Sequence, residues 1–318
     1  MKKIDVAKAA ELLNAADNIL ILTHRNPDGD TLGSGFALMH ALRSTGKKAK
    51  VLCCDEIPKK YSYMFGEKQE DFSAEYTVAV DVADIKLLGN GLSREFESKI
   101  DLCIDHHGSN TEYADNLLLR SCAATCEVVY DLVNALGVEI TPIIADCLYT
   151  GLSTDTGCFL FSNVTPETHI IAADLIKKGA DYVNINKVMF ETKSIGYFKL
   201  EELALNTIKT YFGGKCAVMS ITQKMLSESG TDESDCDGIA GIPRKIDGVL
   251  VGVTVRERND GSYKVSLRSH EPVDSAKICK LMGGGGHARA AGCELNPDAL
   301  EAEKAKLFSI IEDELKNI

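Results

Sequence analysis

Four short apolar runs, NILILTH (18–24), KAKVLC (48–53), YTVAVD (76–81) and IDLCID (100–105), dominate the first third of the chain and leave little choice of fold. Each has the length and β-branched content of a strand buried on both faces. Helical patterns at 5–16, 31–45 and 125–136 accompany them, and this rhythm predicts a parallel α/β sheet over residues 1–190. A further helix is expected at 143–150. Another starts with Thr165 as N-cap, Pro166 in the first helical position and Glu167 in the first turn, and runs to Lys178 before Gly179.

The character changes after a helical pattern from Ile195 to Tyr211, which ends at Gly213-Gly214 and makes 191–212 the expected helical linker. CAVMSI, GVLVGVTVRER and YKVSLRS then alternate like strands, with Asn259-Asp260-Gly261 as a hairpin turn between the last two. An amphipathic helix closes the chain from Asp298 to Ile318. The expectation is an α/β protein of two domains, a parallel-sheet domain over 1–190 and a smaller α/β domain with a mixed sheet over 213–318, which suits 318 residues.

A formal net charge of −12 argues against coating long nucleic acid, which needs many Lys and Arg contacts to phosphates. The charge is uneven, however. Residues 242–292 carry nine Lys or Arg against five Asp or Glu, a balance that fits a small anionic ligand. None of the eleven cysteines has the CxxC spacing of a zinc site or a redox pair, and several lie in apolar runs as small hydrophobes. Reduced thiols, no apolar stretch of membrane-spanning length and an amphipathic start instead of a signal core predict a cytoplasmic protein without a membrane segment.

The strand-like runs end in chemistry. His24 is followed by Asn26-Pro27-Asp28-Gly29-Asp30; Asp81 ends the third run, and Asp105-His106-His107 the fourth. Carboxyl ends of parallel strands share one edge, where ligands bind, so these residues are expected to converge. Asp155, in LSTDTGCF, is expected on a loop. Taken singly, Asp28 and Asp30 suit a turn, Asp81 a helix cap, and the histidines ordinary core packing. Their coincidence points instead to divalent cations, because unpaired carboxylates about 4 Å apart repel by about 4 kcal/mol at an effective dielectric of 20. Carboxylates with imidazoles and no thiolate favour Mn²⁺ over a structural zinc, with Mg²⁺, Co²⁺ or Fe²⁺ as the other candidates.

These motifs, in this order, resemble the DHH phosphoesterase family, named for the triplet present here as Asp105-His106-His107. The resemblance covers nearly the whole chain. Ser266-Leu267-Arg268-Ser269 and Gly283-Gly284-Gly285-Gly286-His287, with Ala290-Ala291-Gly292, are similar to the DHH-associated C-terminal domain. Arg289 stands in HARAAG where relatives often carry other residues. Size and C-terminal motif resemble the nanoRNases that also act on pAp; a linear or cyclic dinucleotide phosphodiesterase is the alternative, and a nucleotide sensor without catalysis a remote one.

The resemblance implies one metal on His24, Asp28 and Asp81, and a second on Asp30, Asp81, His106 and Asp155, with Asp81 bridging. A water shared by both ions would attack phosphorus. Asp105 would orient an imidazole, and His107 would touch the phosphate or protonate the leaving oxygen. Arg268, the amides of Gly284, Gly285 and Gly286, and His287 would hold the nucleotide's phosphate. The substrate would be short RNA or a small phosphorylated nucleotide, and a homodimer is expected by analogy.

Overall fold

The computed structural model describes residues 1–68, 71–316 and 318; the side chains of residues 234, 237 and 287 lie outside the description. Contacts divide the chain into two compact units, Met1–Thr192 and Lys193–Ile318.

The first unit contains β1 (Lys2–Lys3), α1 (Val6–Ala15), β2 (Ile19–Leu22), α2 (Gly29–Ser44), β3 (Ala49–Leu52), β4 (Tyr76–Val80), α3 (Asn90–Glu95), β5 (Leu102–Asp105), β6 (Asn116–Leu119), α4 (Thr125–Ala135), α5 (Pro142–Asp155), α6 (Pro166–Lys177) and α7 (Tyr182–Asn186). Its six strands are all parallel in the order β1-β6-β5-β4-β2-β3. Period-two alternation sorts the side chains: Ile19, Ile21, Val78 and Val80 enter the core under the helices, while Leu20, Leu22 and Ala79 enter a second core on the opposite face. Burial on both faces is why β2 is apolar throughout and β4 nearly so, whereas edge strand β3 carries Lys50 and leaves Leu52 exposed.

The strand order carries the functional information. From β2 the chain first moves outward to β3, then returns to the other side of β2 for β4. The topological switch therefore lies between the carboxyl ends of β2 and β4, where open α/β sheets form their ligand crevice. Across this edge α2 and α5 pack closely. A Cβ at Gly33 would lie 2.3 Å from the Cys147 carbonyl oxygen, and one at Gly151 would lie 2.2 Å from Cys126 Sγ and 2.8 Å from Asp30 Oδ1. Glycine at these positions lets the end of α5 approach the start of α2.

Two expectations need correction here. The helix expected over 143–150 runs from Pro142 to Asp155, so Asp155 is its last residue and does not sit on a loop. Hydroxyls that looked turn-like serve the helix: Thr150, Thr154 and Thr156 bond back to the carbonyls of Asp146, Thr150 and Leu152. The Thr165 cap does form, as a capping box with Thr168.

The second unit contains α8 (Ile195–Leu205), β7 (Lys209–Tyr211), β8 (Cys216–Ile221), α9 (Gln223–Ser229), α10 (Cys236–Ile239), β9 (Val251–Glu257), β10 (Tyr263–Ser269), α11 (Ser275–Leu281), β11 (Gly285–His287), β12 (Ala290–Leu295) and α12 (Leu300–Lys316). Its sheet is mixed, in the order β11-β12-β10-β9-β8-β7, with β8 and β9 the parallel pair. The pattern read as one helix to Tyr211 stops at Leu205, and residues 209–211 form an edge strand. Nor does α8 stand apart as a linker: Tyr197, Leu200 and Ala204 share a core with Met219, Ile221 and Leu226. Its helical pattern was legible; its partner was not.

All eleven cysteines are free thiols, most of them buried. No helix among the described residues is long and apolar enough to cross a membrane.

Candidate metal centre

The switch-point crevice is built by strand ends. Directly after β4, Asp81 adopts φ 59°, the left-handed region that aspartate tolerates better than most residues at a cost of about 1 kcal/mol. The carboxylate is 3% exposed and divides its oxygens. Oδ2 lies 3.6 Å from His24 Nε2, whereas Oδ1 lies 3.7 Å from His106 Nε2 and 3.5 Å from His107 Nδ1. Oδ1 also accepts a 2.8 Å hydrogen bond from Thr125 Oγ1.

Both flanking imidazoles are oriented by backbone. His24 Nδ1 faces the Arg25 carbonyl at 2.8 Å, and His106 Nδ1 faces the Cys122 carbonyl at 3.1 Å. A proton on each Nδ1 leaves Nε2 with its lone pair toward the acids, the arrangement common to metal-ligating histidines. Asp28 is the N-cap of α2 and accepts from the amides of Asp30 and Thr31, yet its Oδ1 is also 3.6 Å from His24 Nε2. Cap and cluster are thus one residue.

Asp30 is fully enclosed, and its carboxylate serves α4 as well. That helix begins after Ala124, which has no capping side chain. Asp30 Oδ2 accepts from the Thr125 amide at 2.7 Å and Oδ1 from the Cys126 amide at 2.9 Å, so an acid 95 residues earlier caps the helix. Asp30 Oδ2 and Asp155 Oδ2 lie 4.0 and 3.6 Å from His106 Nε2.

His24, Asp28, Asp30, Asp81, His106, His107 and Asp155 therefore converge. Their candidate ligand atoms form three overlapping groups, each within 4.8 Å: His24 with Asp28 and Asp81; Asp30 with His106 and Asp155; and Asp81 with His106 and His107. The third group includes His107, which was expected at the phosphate, among the candidate ligands. Asp105 is buried beneath the cluster. It accepts from the amides of His106 and His107, from His107 Nδ1 at 2.8 Å and from Asn110 Nδ2 at 2.6 Å.

Proton affinities show what this crowding demands. Burial, then the charges of Asp81 and Asp155, push Asp30 well above the carboxylate range. Burial and the charges of Asp28 and Asp81 push Asp155 up to about 8. Burial opposes the charged form of His24, but Asp28 and Asp81 outweigh it and push the imidazole up to about 11. Acids that hold protons and imidazoles that gain them are the two responses of a negative cluster lacking counter-charge. The donor set of carboxylate oxygens and imidazole nitrogens, with no cysteine in any of the three groups, fits hard to intermediate divalent cations.

Sequence reasoning missed Thr125, Asn110 and the carbonyl of Cys122. Ala124, a poor cap immediately before an amphipathic helix, was the one available signal that some distant group serves the α4 terminus.

The second unit holds the remaining candidates. Gly285–His287 form edge strand β11, and the register aligns Arg268 with Ala290 and Ala290 with His287, setting Arg268 and His287 on one row of the sheet. The His287 side chain lies outside the description. Gly284 approaches too closely for any other residue, since a Cβ there would meet the Gly292 carbonyl oxygen at 2.1 Å. Arg289 is committed locally: it donates to the Val273 carbonyl and pairs with Glu271 at 3.1 Å.

Comparison with known proteins agrees in both units. Residues 18–152 match the model of the DHH family, N-terminal domain, and residues 213–316 that of the DHHA1 domain. A bifunctional oligoribonuclease and PAP phosphatase, NrnA, of Thermus thermophilus is 34% identical over 313 residues, which span 96% of this chain and 93% of the relative. The crystal structure of an exopolyphosphatase-related protein from Bacteroides fragilis superposes with a TM-score of 0.87 at 25% identity, over 98% of this chain and 95% of that one. RecJ of Thermus thermophilus, solved in complex with Mn²⁺, shares the fold with a TM-score of 0.58 at 16% identity, over 95% of this chain and 54% of that one. The chain belongs to the DHH family, with a DHH N-terminal domain followed by a DHHA1 domain.

Proposed function

We propose that the protein is a divalent-cation-dependent phosphoesterase that hydrolyses short oligoribonucleotides and 3′-phosphoadenosine 5′-phosphate to mononucleotides in the cytoplasm. The observation that carries this reading is the division of the Asp81 oxygens between His24 on one side and His106 with His107 on the other. A single carboxylate facing two imidazole-bearing groups is suited to bridge two ions. In this reading His24, Asp28 and Asp81 hold one, and Asp30, Asp81, His106 and Asp155 hold the other, with Mn²⁺ the preferred metal. Such a pair supplies Lewis acidity, an acidified water and neutralisation of phosphoryl charge.

The remaining residues work around the ions. Thr125 and the carbonyls of Arg25 and Cys122 fix the orientation of the ligands. Burial opposes protonation of His107, but the Asp105 hydrogen bond, with the charges of Asp81, Asp105 and Asp155, outweighs it and pushes the imidazole up to about 9. When protonated, His107 donates from Nε2 to a phosphate oxygen or to the departing ribose oxygen. Arg268, the Gly284–Gly286 amides and His287 bind the nucleotide's phosphate. Preference for one or a few nucleotides follows from the charge distribution, since four of the basic residues near that motif, Arg256, Arg258, Lys277 and Arg289, are paired with Glu233, Glu294, Glu314 and Glu271. These pairs neutralise part of the basic charge that could otherwise track a long backbone.

The test is to strip the protein with chelator and add back Mn²⁺ in the presence of pAp, pApA, a cyclic dinucleotide and RNAs of two to five residues, with products resolved by mass. Restored release of mononucleotides from wild type, and none from a folded Asp81→Ala variant, is the expected result. Turnover without any metal, or wild-type rates from Asp81→Ala, refutes it.

A further inference from the structure

The loop that follows Asp155 is wound back onto the end of α5. Gly157, Cys158 and Phe159 have φ of 57°, 56° and 64°, three successive left-handed residues of which two carry side chains. The Leu160 and Phe161 amides both bond to the Thr156 carbonyl at 3.0 Å, and the Phe159 amide to Thr156 Oγ1 at 3.1 Å. Asn163 Nδ2 ties the far side of the loop to the Asp155 carbonyl at 3.1 Å and to the Ala123 carbonyl at 3.0 Å. Strained, heavily pinned backbone of this kind persists where a position is held for use.

What the loop holds out is apolar. Leu160 is 84% exposed and Phe161 46% exposed, whereas Thr156, beside Asp155, is fully buried. The Phe161 ring lies over Gly157, close enough that a Cβ there would fall 2.4 Å from its Cζ. Gly157 is two residues from Asp155, at most about 7 Å along the chain. The Phe161 ring is therefore presented on a loop that begins beside an acid of the candidate metal centre and is bonded to that residue's own peptide, with Leu160 next to it in the chain.

We infer that Leu160 and Phe161 form a platform on which the base of the nucleotide at the metal centre stacks. The inference rests on the reading of the site as a nucleotide phosphoesterase and adds the part of the substrate that the acids cannot recognise. Stacking accepts every base, because each has a π face, and it favours the larger purines. A fragment-clearing or adenosine-bisphosphate activity has use for such tolerance. A stacked base is remote from the bond that breaks, so the platform bears on substrate affinity more than on the chemical step.

The chain contains no tryptophan, so a Phe161→Trp variant gives a single indole reporter without background. Titrated in Mn²⁺, it is expected to show fluorescence quenching by AMP and little by ribose 5-phosphate, which has the same phosphate and no base. In parallel, Phe161→Ala and Leu160→Ser are expected to raise the KM for pAp by about 5- to 150-fold, the range of one lost base stack, with kcat within about twofold. Affinity for ribose 5-phosphate stays constant, and Phe161→Tyr restores wild-type values. Equal weakening of AMP and ribose 5-phosphate would mean that the loop only supports Asp155 and would overturn the platform, as would an indole blind to AMP. If wild type binds both compounds but hydrolyses no nucleotide in Mn²⁺, the enzymatic reading falls, and the platform falls with it.

Discussion

Thr125→Val is the perturbation that tests the centre most economically, since it keeps shape and β-branching and removes one hydroxyl. The Thr125 hydroxyl donates at 2.8 Å to Asp81 Oδ1, and the carboxylate is 3% exposed, so no solvent replaces the lost donor. A hydrogen bond to a charged group contributes about 1.5–3 kcal/mol, equivalent to about 10- to 150-fold in an equilibrium constant. The backbone amide of residue 125 remains, so the bond to Asp30 and the start of α4 are preserved. The loss is therefore confined to Asp81, and it is divided between stability of the metal-free protein and affinity for the ion. Calorimetric titration of Mn²⁺ into chelated protein, with urea unfolding of the same sample, measures both shares. A variant unchanged within twofold in affinity and within about 0.5 kcal/mol in stability would show that Thr125 does not steady the Asp81 carboxylate, and the argument for an oriented Asp81 would fail.

Two further outcomes are expected. Gly151→Ala places a methyl 2.2 Å from Cys126 Sγ and 2.8 Å from Asp30 Oδ1, so it should destabilise by about 1–3 kcal/mol in urea unfolding and lower the affinity for Mn²⁺, while Gly91→Ala in α3, where an added Cβ meets nothing within 4 Å, leaves that affinity unchanged. In chelator, the folded state retains protons that the unfolded chain has released: Asp155 up to about 8, His107 up to about 9 and His24 up to about 11. Raised folded-state values mean that this stability is present at low pH and is lost as pH climbs, so the melting temperature of metal-free protein should fall between about pH 6.5 and 9. Saturating Mn²⁺ should flatten or invert that trend; a metal-free melting temperature that rises over this interval contradicts the crowded-carboxylate account.

The strands that carry the acids were legible because burial on both faces demands unbroken apolar runs, and their ends are marked by abrupt polarity. β1 and β6, the outer pair on one side of the sheet, were not read, and β1 is only two residues long. The length of α5 was misjudged because Thr150, Ser153, Thr154 and Thr156 suggest turns until their back-bonds to the preceding helical turn are seen. The orienting groups around the imidazoles were invisible for a different reason. The Cys122 and Arg25 carbonyls belong to the main chain, so no side-chain identity announces them. Thr125 and Asn110 were passed over because hydroxyl and amide residues acquire meaning only from what the fold sets opposite them.

The dual employment of Asp30 limits what genetics can learn at that position. Each of its oxygens already receives an amide from the first turn of α4, and a carboxylate oxygen has a second lone pair to offer elsewhere. Asparagine, the isosteric replacement, would turn an NH₂ toward one of those amides and unseat a helix while also deleting an anionic donor. A dead Asp30 mutant would thus say nothing about whether chemistry or architecture had been lost. Cation occupancy is more cleanly interrogated at Asp155, the last residue of α5, than at Asp28, which caps α2, and any ancestral sequence lacking an acid at residue 30 must have found another way to begin that helix.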